Sequence, residues 1–334
     1  MDKPHSIAAE RESRVAEKIR RELGPHVMRL LGERDVIEIM LNPDGRLWVE
    51  RLGEGMSPFG QMEPYQAEAL IGTIASTLLG TVTRQNPILE CELPIDGSRF
   101  EALIPPVVAA PTFTIRRKAL KVFTLADYIA DGIMSEGQRE AICEAIHEHR
   151  NILVVGGTGS GKTTLTNAII DQIARAFPLE RIGIIEDTSE LQCNSENAVI
   201  TRATADVDML KLLKAMMRLR PDRILVGEVR GPEALALLKA WNTGHPGGVA
   251  TIHANSAADA LRRIEDLVGE ASQVIPRRSI ASAVNLLAFI ERTGSPPGRT
   301  VRSIVQVRGF EGNDYMLEEA SADNGMVTRA AKPR

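Results

Sequence analysis

Residues 151–164, NILVVGGTGSGKTT, restrict this chain more than any other stretch. The run ILVV offers no polar side chain to water, so it has to be covered on both faces, as a strand inside a parallel sheet is. The residues that follow satisfy G-x-x-x-x-G-K-[ST] through Gly156, Gly161, Lys162 and Thr163. Glycine permits the backbone angles that turn successive N–H groups inward, and a helix opening at Lys162 adds its positive end, so the segment predicts a cradle for phosphate oxygens. Gly156, Gly157, Thr158, Gly159, Ser160 and Gly161 form the expected loop, with Lys162 on the terminal phosphates. Thr163 offers a hydroxyl to a hard cation such as Mg²⁺, and Thr164 completes the run. A merely flexible Gly/Ser loop is the alternative, and the order strand, loop, helix argues against it.

Three further apolar runs, IGIIE at 182, RILVGE at 223 and VATIH at 249, alternate with helical patterns near 162–176, 206–218, 232–241 and 256–268. That alternation specifies an α/β domain with a parallel, helix-covered sheet. Ser135 and Gln138 have the spacing of a capping box, so the domain is expected to open there and to run to residue 318, where NLLAFIERT and RTVRSIVQVRGFEG read as closing strands. With 334 residues there is room for a second domain. Residues 1–118 read as a smaller α+β unit: an amphipathic helix over 12–31, then short strands broken by turns such as Pro43-Asp44-Gly45. Residues 119–134 read as a linker and 319–334 as a loose tail. The basic side of the first helix (Arg11, Arg14, Lys18, Arg21) suits either a solvated face or a peripheral contact with anionic lipid.

Composition narrows the function classes. Lys plus Arg number 40 against 44 Asp plus Glu, a net charge of −4, so any contact with DNA has to be local or weak. Cys91, Cys143 and Cys193 are isolated from one another and from histidines, which suits reduced cytosol and excludes a zinc module. Neither an export signal nor an 18-residue apolar run is expected from this sequence.

In an open parallel sheet ligands bind outside the carboxyl ends of the strands. Here the apolar runs end in the phosphate loop, in Glu186-Asp187, in Glu228 and in His253. Carboxylates at such ends suit the two tasks of phosphoryl transfer, holding Mg²⁺ and orienting water. Glu228 is the first choice for water, with Glu186 and Glu190 tuning or holding the metal shell; a helix cap or an ion pair with arginine is the alternative for either of the latter. His245 and His253, in TGHPGGVATIHANS, are candidates for sensing the terminal phosphate or are structural histidines. Arg99 and Arg116 are the basic candidates of the first domain, for transition-state charge or as surface charge.

Read together, GGTGSGKTT, IEDTSE, RPDRILVGEVRG and TGHPGGVATIHANS resemble, in order and spacing, the four motif boxes of the type II and type IV secretion traffic ATPases, and within them the conjugal-transfer (TrbB) branch. The resemblance implies a PAS-like N-terminal domain, a RecA-like P-loop motor, nucleotide bound between the two, and a homohexamer. It implies ATP and Mg²⁺ as ligands, with Lys162 and Thr163 at phosphates and metal, Glu186 in the acidic box, Glu228 in Walker B and His253 near the γ-phosphate. Arg116 matches the arginine that reaches the nucleotide from the N-terminal domain, and Arg99 matches less well. Metal coordination is expected from Thr163, Glu186 and Glu228, although Gly227 stands where other P-loop proteins carry an Asp. The implied function is a motor for pilus biogenesis and DNA–protein transfer, cytoplasmic and peripheral at the inner membrane, working with the membrane proteins of the apparatus. A nucleotide-gated assembly switch, or a pilus or type II secretion motor of the same superfamily, is the alternative. A small-molecule kinase is disfavoured, since no acceptor pocket or lid motif stands beside the boxes.

Overall fold

The computed structural model describes residues 4–33, 35–51, 54–77, 80–117, 122–204, 206–320 and 327–329, with side chains from residue 13 to 320 within those spans. The chain divides into two compact units, residues 1–120 and 121–334.

The first unit runs α1 (Pro4–Gly32), β1 (Val36–Leu41), β2 (Arg46–Arg51), β3 (Gly55–Gln61), α2 (Pro64–Thr77), β4 (Ile88–Glu92), β5 (Arg99–Leu103) and β6 (Thr112–Arg116). Its strands form a six-stranded sheet in the order β3-β2-β1-β6-β5-β4, antiparallel at every junction. The register sets Ile39 opposite both Val49 and Ile115, and Phe100 opposite Ile115, so one face is apolar across the strands. Ile19, Leu23, Val27 and Leu30 of α1, and Leu70, Ile71 and Ile74 of α2, are buried in the same cluster. The apolar stripe of α1 is therefore used up within its own unit. Gly24 (φ 78°) interrupts that helix just before Pro25, which has no N–H for the helical ladder. α2 was not foreseen as an element; its apolar residues belong to the same periodic pattern that marks the other helices. Asp44 caps the foreseen turn by accepting from the Arg46 N–H at 3.0 Å, and Gly45 supplies its φ of 80°.

The second unit begins with α3 (Leu125–Ala130) and α4 (Glu136–His147), then β7 (Ile152–Val155), α5 (Lys162–Ala176), β8 (Ile182–Glu186), β9 (Ala198–Arg202), α6 (Met209–Met216), β10 (Arg223–Val226), α7 (Glu233–Asn242), β11 (Val249–Ile252), α8 (Ala257–Gly269) and α9 (Arg277–Ala283). It closes with β12 (Leu286–Arg292), β13 (Arg299–Glu311), β14 (Asp314–Glu319) and β15 (Val327–Arg329). The sheet order is β15-β14-β13-β12-β7-β11-β10-β8-β9, parallel from β12 to β9 and antiparallel from β12 to β15. Every residue of β7, β8, β10 and β11 is buried. Alternation divides them between two cores: Leu153, Val155, Ile185 and Ile252 pack with α7, α8 and α9, whereas Ile152, Val154, Ile184 and Val249 pack with α4 and α5.

The segment expected as a linker carries α3, capped by Thr124, whose hydroxyl accepts from Asp127 N while Asp127 accepts from Thr124 N. Leu125 and Tyr128 bury it against the second unit's core. The sequence signal was present in Thr124-x-x-Asp127, the same spacing that marked Ser135 and Gln138. The expected tail lies partly outside the described residues; within them, β14 continues through Glu319 and β15 pairs with it. Burial pushes the Cys91 thiol up to about 12 and raises Cys143 and Cys193, as inert interior thiols require.

Gly248, just before β11, is enclosed: a Cβ there would stand 2.1 Å from Trp241 Nε1 and 2.4 Å from the Ile224 carbonyl oxygen. Gly248→Ala is therefore expected to destabilise the second unit by about 1–3 kcal/mol or more, read as a lowered unfolding midpoint in urea.

Candidate active site

The parallel register brings the carboxyl ends of four strands to one end of the sheet. Val226 of β10 pairs with Ile185 of β8 and with Ala250 of β11, and Ile252 of β11 pairs with Val155 of β7. At or just beyond these ends lie Gly156, Glu186, Glu228 and His253, gathered along one edge of the sheet.

The phosphate loop turns by virtue of Gly159 (φ 67°) and Gly161 (φ 101°), the second of which caps α5 in the left-handed conformation. Gly156 is small for a different reason, because a Cβ there would stand 2.3 Å from the Ile290 carbonyl oxygen and 2.5 Å from Ser160 Oγ. Lys162 is buried, and its ammonium donates to the carbonyl oxygens of Gly156 and Gly157, both at 2.9 Å. It also lies within 3.3 Å of the His253 ring nitrogens.

Glu228 follows β10 in a backbone held on both sides: the Thr251 hydroxyl donates to the Gly227 carbonyl at 2.7 Å, and Val229 N–H donates to the Thr251 carbonyl at 2.9 Å. Its carboxylate meets His253 Nε2 at 2.9 Å through Oε1 and Arg230 Nη2 at 2.7 Å through Oε2. Arg230 also reaches Asp187 Oδ2 at 2.6 Å.

Glu186 is 1% exposed. Its Oε2 accepts the N–H groups of Glu190 and Leu191 at 2.9 and 3.0 Å, while its Oε1 is buried with no hydrogen-bond partner among the described residues. Burial raises its carboxyl above the usual carboxylate range, against the lowering effect of those two N–H groups. Glu190 in turn accepts from the Thr163 hydroxyl at 3.0 Å, which links Glu186 to the start of α5. Gly227 approaches its neighbour closely: a Cβ there would lie 3.0 Å from Glu186 Cβ.

The residues present fit a nucleotide phosphate and Mg²⁺. Ser160 Oγ is buried without a partner at the loop, Glu186 Oε1 is orphaned, and the Thr163 hydroxyl stands on the same side. Among the described residues no group of three or more His, Cys, Asp or Glu could hold a metal by itself. Mg²⁺ does not need one, since it takes few protein ligands and keeps water or phosphate oxygens for the rest.

His245 is a correction. It precedes β11, at the opposite end of the strand from His253, and its Nδ1 lies 2.9 Å from the Pro221 carbonyl oxygen. That end of the sheet is built for structure: buried Arg223 spans Glu180, the Gly247 carbonyl and the Ile146 carbonyl there, under the ring of Phe177. Two histidines flanking a four-residue strand cannot both reach one edge of it. Arg99 and Arg116 belong to the first unit, opposite one another on β5 and β6. Arg99 donates to Glu90 at 2.9 Å and Arg116 lies 3.6 Å from Glu38.

Sequence reasoning missed Arg230, Asp187 as its anchor, and the arginines of the β12–β13 hairpin. Arg292 and Arg299 face each other across that hairpin. They pack on the phosphate loop, so that a Cβ on Gly159 or Gly161 would meet their guanidinium groups at 3.3 and 2.8 Å. The basic residue two positions after Glu228, inside the same box, was a usable signal; nothing in the sequence announces that residue 292 returns to the loop.

A parallel sheet carrying a phosphate loop, with acids on the adjacent strand ends, defines a P-loop nucleotide-binding protein of RecA-like fold. The chain belongs to the type II/IV secretion system protein family, whose model matches residues 26–295. It is 53% identical over 305 residues to a probable conjugal transfer protein TrbB of Sinorhizobium fredii, covering 91% of this chain and 93% of the relative. A conjugal transfer protein TrbB of Rhizobium radiobacter is 52% identical over 305 residues, covering 91% and 94%. Among solved structures, the Legionella pneumophila ATPase DotB matches with a TM-score of 0.59 at 20% identity over 88% of this chain and 79% of that one, a likeness of fold.

Because the Glu186 carboxyl titrates higher in the folded than in the unfolded chain, its contribution to stability is fully present below the ordinary carboxylate range and is lost as pH rises through the elevated value. Glu186→Gln has no charge to bury, so its unfolding temperature should fall less from acidic to neutral pH than that of the parent protein, as differential scanning calorimetry can check.

Proposed function

We propose that the protein is a Mg²⁺-dependent ATPase, the motor of a conjugal transfer or type IV secretion apparatus. One observation carries the reading: Lys162, Glu186, Glu228 and His253, from different elements, gather at one sheet edge beyond a glycine loop, in a family whose relatives serve conjugal transfer. Such a cluster costs stability, since Glu186 is buried with an unmatched oxygen, so it answers to chemistry rather than to folding.

The roles follow from the contacts. Lys162, held by its own loop's carbonyl oxygens, exchanges them for phosphate oxygens when nucleotide enters. Thr163 and Glu186 serve the cation, directly or through its water, and Mg²⁺ supplies charge neutralisation on the phosphates. Glu228, engaged on both oxygens by cationic or hydrogen-bonding side chains, orients the attacking water and is the weaker candidate for metal. His253 lies between Glu228 and Lys162 and is suited to register the terminal phosphate. The family resemblance extends the proposal to a homohexamer, to nucleotide binding by the second unit, to Arg116 and Arg99 as arginines acting on the transferring phosphate, and to a place at the cytoplasmic face of the inner membrane beside the membrane proteins of the apparatus. Among the described residues no helix is long and apolar enough to cross a membrane.

Phosphate release and light scattering test the proposal together. Lys162→Ala is expected to lower Mg²⁺-dependent release at least about a hundredfold, and Glu228→Gln to bind a slowly hydrolysed ATP analogue like the parent protein while turning over at a similarly low level. A parent protein that forms a ring and binds ATP, yet releases no more than about one phosphate per assembly, would be a nucleotide-gated switch in place of a motor. Arg116→Ala should lower turnover with the unfolding transition unchanged; a parental rate would make Arg116 surface charge.

A further inference from the structure

We propose that Arg230 is a positioning residue for hydrolysis: tethered to Asp187, it holds the Glu228 carboxylate in the orientation that receives a proton from the attacking water. The inference rests on Glu228 being the residue that orients water.

The geometry is that of a planar fork with one prong in each loop. Nη1 lies 2.6 Å from Asp187 Oδ2 and Nη2 lies 2.7 Å from Glu228 Oε2. With His253 Nε2 at 2.9 Å from Oε1, each oxygen of the carboxylate is fixed by a different group, and rotation about its terminal bond is closed. Each oxygen keeps a second lone-pair direction, so the clamp leaves room for water to donate. The fork itself has a firm base, because the backbone N–H groups of Arg230 and Gly231 both donate to Glu233 Oε1, at 2.8 and 3.0 Å. Asp187 directly follows Glu186, so the fork also couples the metal-side acid's loop to the water-side acid's loop.

Stability does not account for the arrangement. The Arg230 side chain is 53% exposed and that of Asp187 34%, and ion pairs this open contribute little to folding. What the pair supplies is alignment. In the step itself the water oxygen bonds to the γ-phosphorus, the bond from that phosphorus to the bridging oxygen breaks, and ADP leaves with the bonding electrons. The water proton passes to the Glu228 carboxylate, which later returns it to solvent or to the released phosphate.

The test uses the full chain with ATP and Mg²⁺ and compares Arg230→Ala, Arg230→Lys, Asp187→Asn, the Arg230→Ala/Asp187→Asn double variant and Glu228→Gln. Arg230→Ala should lower kcat roughly ten- to a hundredfold with KM for ATP within about twofold, since misalignment acts on the chemical step. Arg230→Lys should recover only part, because a single ammonium does not span both carboxylates. Asp187→Asn should be milder, and the double variant no slower than Arg230→Ala, as two residues of one chain of contacts require. Unchanged unfolding temperatures and analogue binding keep the comparison sound; if Arg230→Ala alone fails to fold, the lysine and asparagine variants decide. A parental kcat in Arg230→Ala, a change confined to KM, or additive losses in the double variant would overturn the proposal. Glu228→Gln separates the two layers: normal turnover there would remove the underlying reading, whereas an inactive Glu228→Gln beside a normal Arg230→Ala would remove only the positioning role.

Discussion

The site depends on one constraint, the parallel pairing of short strands whose residues are all buried. Parallel strands of four or five residues have little freedom of register, since a slip would carry buried side chains such as Ile185 and Val226 out of their core. With Ile185 paired to Val226, Val226 to Ala250 and Ile252 to Val155, the residues that follow the four strands emerge at the same end of the sheet. The polar groups are placed by the hydrophobic core, and the hydrogen bonds among them refine what the core has already arranged.

Those bonds form a continuous series. Asp187, Arg230, Glu228, His253 and Lys162 contact one another in turn, and Lys162 closes onto its own loop. Charges alternate along most of this path, so moving one member alters the surroundings of the next. Glu186 stands beside the series on a separate branch through Glu190 to Thr163. The two branches come together at the first turn of α5 and again where Asp187 follows Glu186 in the chain.

Much of this was legible in the amino-acid sequence, for identifiable reasons. Short, mainly apolar runs alternating with helical patterns mark covered strands, and β7, β8, β10 and β11 fall where such runs predict them. The glycine loop and the helix starting at Lys162 follow from local chemistry. β9 has a weak signal because its residues are partly exposed and its apolar run, Ala198 to Ile200, is short. α9 is only seven residues long and has no side-chain cap. The α3 cap, Thr124 with Asp127, is readable in the sequence, but the helix it opens is only six residues long. Side-chain partnerships are a different matter: Arg230 and Asp187 are forty-three residues apart, and their meeting follows from strand order, which spacing does not reveal. His245 misled for the same reason, since nearness in sequence to His253 hides a strand running between them.

The tight approach of Gly227 to Glu186 limits which relatives of this chain can arise one substitution at a time. A side chain at 227 would press on the Cβ of a residue already enclosed, so a larger residue there has to be met by a shift at Glu186. Substitution at one of the two positions is therefore felt at the other. A lineage that settled on a glycine at this point would tend to keep it, held by the geometry of its neighbour as firmly as by the chemistry it performs.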